Sequence, residues 1–334
     1  MTGDEALIAS GLMDAEAFYR ALAAETRLPF RAGGFAVHPL ARSSHAILAG
    51  LAPLAAPGEG AVFAFAPRGT VLADMLARGI GADLGLLITT PSGLRDAVFA
   101  ACADSIARDA AEGLARRKPE ESFHGSLTLG QTVATHALAA ALGVAALAIG
   151  GTAWMAAMLL FSGPFLGLTA IKLAATLEPV PVDMPLRLAR DDDRDLPVYT
   201  ILVPLYRESR VVGRLLRAIR AIDYPAAKMD VKFLVEEGDH ETASAVAAHA
   251  LPGYVEVITV PPGSPRTKPR ALNVGLPVAR GRYLVVYDAE DVPDPGQLRM
   301  AFQIFDRSEA DVACLQARLV IDNTEDGILT RGIR

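Results

Sequence analysis

Four clusters of polar residues follow four short apolar runs, and their residue types define the chemistry open to this chain. Pro204-Leu205-Tyr206-Arg207-Glu208 comes after Val198–Val203, and Glu236-Glu237-Gly238-Asp239 after Val231–Val235. Thr267-Lys268-Pro269-Arg270-Ala271-Leu272-Asn273 lies past Val255–Val260, and Asp288-Ala289-Glu290-Asp291 closes Tyr283–Tyr287. Carboxylates gathered in this way repel a bare phosphate, so a phosphorylated ligand would need a divalent cation between. Hard oxygen ligands suit Mg²⁺ or Mn²⁺, held by one or two carboxylates together with substrate phosphates. Asp288, Glu290 and Asp291 are the candidate metal ligands. No G-x-G-x-x-G follows the first run, which argues against a dinucleotide-dependent dehydrogenase.

The elements that would position these residues follow from periodicity. Between the apolar runs, Glu208–Ile222 carries Val211, Val212, Leu215, Leu216 and Ile219 on one helical face. Further helices are predicted after Thr242, over Thr267–Ala279 and over Gln297–Phe305, with a last strand at Val312–Leu315. Strands alternating with helices imply an α/β domain with a mostly parallel sheet, whose ligands sit beyond the carboxyl ends of the strands. Asp294, before Pro295, reads as a turn former.

The rest of the chain divides by composition. Of 334 residues, 51% are hydrophobic and 21% charged, with a mean hydropathy of +0.30, a mixture that fits soluble domains joined to an apolar segment. The net charge of -6 argues against a nucleic-acid partner. Cys102 and Cys314 match neither a disulfide framework nor a zinc spacing and read as two buried thiols. The acidic start MTGDEALIAS has no signal-peptide pattern. Residues 1–120 read as a small α+β domain, with strands at Ala61–Phe65 and Leu86–Thr89 and helices at Val71–Ala77 and Ser92–Ala103, the last capped by Ser92. That domain has no phosphate-binding glycine loop and no metal-ligand spacing.

Residues 121–177 hold an uncharged stretch, Ser122 to Ile171. As one helix it would run about 75 Å, against roughly 30 Å of hydrocarbon core, so two spans near 132–150 and 152–173 are predicted. Basic residues on both flanks (Arg116, Arg117 and Lys118; Lys172, Arg187 and Arg190) predict a hairpin with both ends cytoplasmic. Residues 178–196, with three prolines and five aspartates, read as a linker whose Asp191–Asp193 run is solvated. Arg207, Arg210, Arg214 and Arg217 share one helical face, open to a solvated role or to contact with anionic lipid headgroups.

The segments VPLYRE, VEEGDHET, PRTKPRALN, YDAEDVPDPGQLR and CLQARLVIDN, in this order, resemble the membrane-bound, cellulose-synthase-like branch of glycosyltransferase family 2. The resemblance covers roughly residues 197–323 and implies a GT-A fold in 197–334, a UDP-sugar donor, a glycan acceptor and an inner-membrane, multi-pass protein. It implies that Glu237 and Asp239 hold the nucleobase, with Gly238 departing from the family pattern. Lys268 and Asn273 would lie near the ribose and diphosphate. Asp288 and Glu290 would form the D-x-D pair for cation and diphosphate, with Asp291 beside it. Pro204, Tyr206 and Glu208 join the implied nucleotide-sugar contacts, although Glu208 reads equally as a helix cap. Thr324-Glu325-Asp326 spells the triplet that supplies the family's general base but lies too near the D-x-D pair, so the base is expected beyond Arg334. Residues 7–25, 28–30 and 88–101 resemble the N-terminal domain of type II secretion ATPases, which implies a scaffold role and a protein partner. The alternative for the whole chain is a non-catalytic membrane scaffold that keeps a degenerate nucleotide-sugar site.

Overall fold

The computed structural model describes residues 3–39, 43–58, 60–79, 84–123, 127–149, 151–177 and 192–317. Most of the expected linker, the LVIDN segment and Asp326 lie outside these. Residues 3–113 begin with helices α1 (Gly3–Ala9), α2 (Ala15–Thr26) and α3 (Ser43–Ala49). Strands β1 (Leu51–Gly58), β2 (Ala61–Phe65) and β3 (Leu86–Ile88) form one sheet in that order, with α4 (Gly69–Arg78) between β2 and β3. β1, which the sequence pattern did not mark as a strand, is an edge strand. It therefore tolerates Pro53 and Pro57, which donate no ladder hydrogen bond. Helix α5 (Pro91–Arg117) runs well past the predicted Ala103, through an alanine-rich stretch that favours helix. Its first turn is capped by Thr90 rather than Ser92, the Gly93 amide donating to Thr90 Oγ1 at 3.0 Å.

The C-terminal segment alternates β4 (Tyr199–Leu205), α8 (Val212–Arg220), β5 (Met229–Glu236), α9 (His240–Ala247), β6 (Val255–Val260), α10 (Lys268–Gly275), β7 (Tyr283–Val286) and α11 (Gln297–Arg307). All four strands are parallel, in the order β6-β5-β4-β7, as the alternating pattern required. The strand expected at 312–315 is not formed. Val312 is 38% exposed, and no described strand pairs with that stretch. Cys314 is exposed there, whereas Cys102 is buried, so only one of the two thiols is interior.

A parallel sheet is stable only when both faces are covered. On one face Ile201, Val203, Val231 and Phe233 pack against Val212, Leu215, Leu216 and Ile219 of α8 and Leu298 of α11. On the other, Leu202, Leu234, Ile258 and Val260 pack against Ala271 and Val274 of α10 and against Phe99 and Ala110 of α5. The N-terminal residues thus complete the second layer, and residues 1–113 with 188–334 form one compact unit. Residues 114–187 form the other. They contain helices α6 (Leu129–Ile149) and α7 (Gly151–Leu177). Of the two expected spans, only Trp154–Ala175 is long and apolar enough to cross a membrane among the described residues. The apolar part of α6 is shorter, and Gln131, Thr132, Thr135 and His136 make its first turns polar.

Toward the beginnings of the strands, the face shared with the N-terminal residues is ionic. Lys232 on β5 contacts Asp230 at 2.8 Å and also the Glu256 carboxylate on β6. Glu256 further meets Arg95 at 3.3 Å and Arg68 at 3.4 Å, both from the N-terminal residues. Asp230 accepts from Thr200 at 2.9 Å and pairs with Arg280, which also reaches Glu5. Burial disfavours the charge on both acids, but their cationic neighbours outweigh it. Lys232, Arg68 and Arg95 hold Glu256 well below its usual range, and Lys232 and Arg280 lower Asp230. Carboxylates depressed in this way stabilise the fold above their ordinary values of 4.5 and 3.8 and lose that contribution as pH falls through the depressed values. The melting temperature of the full chain should therefore fall steeply below about pH 4. Glu256→Gln should flatten that fall and cost about 3 kcal/mol at pH 7, since it leaves cations uncompensated. Thermal scans of both proteins across that pH range check this, and identical profiles would contradict it.

Candidate nucleotide-sugar site

The carboxyl ends of β4 and β5 and the segment after β7 border a cavity of about 290 Å³, at the location that parallel sheets favour for ligands. Pro204, Leu205, Tyr206 and Glu208 line it from β4 and the loop that follows. Glu236 ends β5, Arg266 to Lys268 lead into α10, and Asp288 to Glu290 follow β7. Five of the expected contacts (Pro204, Tyr206, Glu208, Lys268 and Asp288) are brought together, along with Glu290. Glu208 does not cap α8. That helix begins after Val211 without a side-chain cap, and the Glu208 amide donates to Thr242 Oγ1 at 3.0 Å.

Other expected contacts have different employment. Asp239 is buried, caps α9 through the Thr242 amide, and accepts from the Arg207 amide at 2.6 Å. Burial works against its charge, but these hydrogen bonds outweigh it and hold the carboxyl below its usual range. Asp239 thereby fixes the β4 loop, where Arg207 takes a left-handed conformation at φ 59°. Gly238, at φ 89°, takes a left-handed backbone conformation that a side chain would strain. Glu237 is exposed outside the cavity lining. Asn273 donates to the Ala110 carbonyl of α5 at 2.8 Å.

The three candidate metal ligands do not converge. Among the described residues no three acidic, histidine or cysteine side chains form a ready cation cage. Asp291 turns back to accept from the Asp288 amide at 2.8 Å, a side-chain turn that closes the strand, while Asp288 and Glu290 remain at the cavity. Asp288 is paired with Lys268. Glu236 is paired with the buried Arg270 at 2.6 Å. Counting Arg270 with the lining residues, four carboxylates (Glu208, Glu236, Asp288, Glu290) face three cations (Arg266, Lys268, Arg270), leaving one negative charge. One divalent cation would reverse that balance to one positive charge, which suits a diphosphate. The donor set of hard oxygens fits Mg²⁺ or Mn²⁺.

Sequence reasoning missed Glu236 and Arg266. The first could have been found by strand parity, since it shares a face with Lys232 and Leu234. Tyr206 is flanked by two guanidinium groups, Arg207 at 5.2 Å and Arg266 at 5.7 Å from its ring centre. A larger hollow of about 580 Å³ lies among the N-terminal residues. Its carboxylates are already engaged: Asp14 caps α2, Glu16 pairs with Arg20, and Asp96 with Arg95.

Residues 197–330 match the family described as glycosyltransferase like family 2. Cellulose synthase 2 of Novacetimonas hansenii is 34% identical over 110 residues, covering 32% of this chain and 6% of that protein. The probable glycosyltransferase YdaM of Bacillus subtilis is 27% identical over 107 residues, covering 31% of this chain and 26% of its own length. The chain thus spans only a minor part of these relatives. Among solved structures, a mannosyltransferase from Pyrobaculum calidifontis in complex with GDP-Man and Mn²⁺ is 26% identical, with a TM-score of 0.31 over 48% of this chain and 43% of that one. Residues 197–330, which carry the four-stranded parallel sheet and its helices, are thus similar to glycosyltransferase family 2 domains.

Proposed function

We propose that this chain binds a UDP-sugar in the cavity beyond β4, β5 and β7 and serves sugar transfer to a glycan acceptor at the inner face of a membrane. The observation that carries this reading is the meeting of Asp288 and Glu290 with Lys268, Arg266 and Tyr206 in one cavity within the family 2 domain. Asp288 and Glu290 would hold a divalent cation, Mg²⁺ or Mn²⁺, which supplies Lewis-acid charge to a departing diphosphate. Lys268 and Arg266 carry the positive charge that diphosphate oxygens require. The Tyr206 ring, 41% exposed between its two arginines, offers a flat surface to a base. Glu208 offers acceptors to ribose or sugar hydroxyls.

The membrane part of this reading rests on α6 and α7. Their apolar side chains face outward, with Leu147 90% and Leu159 72% exposed, as expected where lipid is the solvent. Both helices would cross as a hairpin, with the N-terminal and transferase segments cytoplasmic. The resemblance of the first 120 residues to secretion-ATPase N-domains adds a protein partner.

A second reading, a membrane scaffold with a degenerate site, is favoured by one observation. Asp239 and Asn273 are engaged in structural hydrogen bonds rather than at the cavity.

Isothermal titration separates the two. The transferase reading expects UDP to bind the full chain with Mn²⁺ and at least tenfold more weakly without it, and Asp288→Ala to remove that cation dependence. Cation-independent or absent binding favours the scaffold. For the topology, a cysteine introduced as Gly151→Cys in intact cells should react with a membrane-impermeant maleimide from outside. Reaction only after permeabilisation contradicts the hairpin.

A further inference from the structure

Helix α10 has two sides. Lys268 and Ala271 line the cavity from its first turns, while Ala271 and Val274 lie in the apolar cluster that includes Phe99 and Ala110 of α5. Polar contacts repeat the connection. Asn273 Nδ2 donates to the Ala110 carbonyl, joining residues 163 positions apart. Arg270, 1% exposed, donates to Glu236 at the cavity and to the Pro261 carbonyl at 2.7 Å. The loop entering α10 is equally tight. A Cβ on Gly263 would lie 2.7 Å from Arg270 Nη1 and 3.1 Å from the Ala107 Cβ of α5. A side chain at this point would press on α5 and displace the guanidinium that holds Glu236.

We propose that the N-terminal segment is a working part of the donor site: α5 backs α10, and Phe99, Ala110 and Asn273 are positioning residues that set where Lys268 and Glu236 stand. This rests on the reading of the cavity as a nucleoside-diphosphate site. It gives Asn273 a role different from ribose or diphosphate contact. α5 touches no ligand. It acts by closing the apolar seam under α10, so that the helix presents Lys268 at one height and Arg270 keeps Glu236 turned in. A loosened seam leaves the fold intact and the cavity poorly shaped.

The experiment uses the full chain in detergent or nanodiscs. Phe99→Ala opens the seam, Asn273→Ala removes its hydrogen bond, and Asn273→Asp keeps the shape but replaces the donating amide with a carboxylate that only accepts. Met229→Ala serves as a control for general destabilisation, because Met229 is buried on the opposite sheet face at the far end of β5. Amide hydrogen exchange is expected to quicken at least tenfold over residues 264–275 in Phe99→Ala, with α11 unchanged. It is expected to quicken by a smaller factor in Asn273→Ala, with no rescue by Asn273→Asp. Dissociation constants for UDP with Mn²⁺ should rise about tenfold in Phe99→Ala and stay within twofold of wild type in Met229→Ala. Exchange over 264–275 that rises no more than that of α11, or equal affinity losses in Phe99→Ala and Met229→Ala, overturns the proposal. If the unaltered chain binds no UDP, the donor-site reading falls, and the exchange measurement still decides whether α5 positions α10.

Discussion

Everything in the larger unit depends on covering the second face of a four-stranded parallel sheet. The backbone of such a sheet is satisfied internally, but its two faces are not, and leaving either exposed to water forfeits the burial that stabilises it. Here α8, α9 and α11 cover one face from within the same segment. α10 covers only part of the other. Phe99 and Ala110 come from more than eighty residues upstream to complete the apolar part, while Arg68 and Arg95 complete the ionic part by answering Glu256. Fold and site share this dependence because the helix that α5 supports is the one that brings Lys268 to the cavity.

The ionic part matters differently from the apolar part. Asp230, Lys232 and Glu256 are compensated only together with Arg68, Arg95 and Arg280, so replacing the whole network by apolar residues need not cost stability, whereas removing one member does. What the set supplies is specificity of fit. An apolar α5 could slide along an apolar sheet, but Arg95 finds both the Glu256 carboxylate and the Val257 carbonyl at one register only.

Much of this was legible in the sequence. The apolar runs at Val198–Val203, Val231–Val235 and Val255–Val260 marked the strands, and the polar clusters after them lie at the cavity. Tertiary context decides the rest. Asp239 and Asn273 have side chains suited to ligand or to backbone, and only packing reveals that Arg207 and Ala110 claim them. β1 was obscured by its prolines, which an edge position tolerates. The strand at 312–315 has the right composition but no partner among the described strands. One signal was available and unused. In MDVKFLVE, the alternate positions 230, 232 and 236 are charged, with Leu234 the one exception, and the positions between them are wholly apolar. A strand with one apolar face and one charged face, inside a sheet that must be buried on both, announces a charged partner from elsewhere in the chain.

The 163-residue reach from Asn273 to Ala110 also bears on synthesis. The N-terminal helix is complete on the ribosome before the strand it will support has been made, and two apolar helices are translated in between. Until the later strands are made, Phe99 lacks the residues that cover it in the folded unit, so the seam closes only after both segments exist. Contacts so distant in sequence fold slowly.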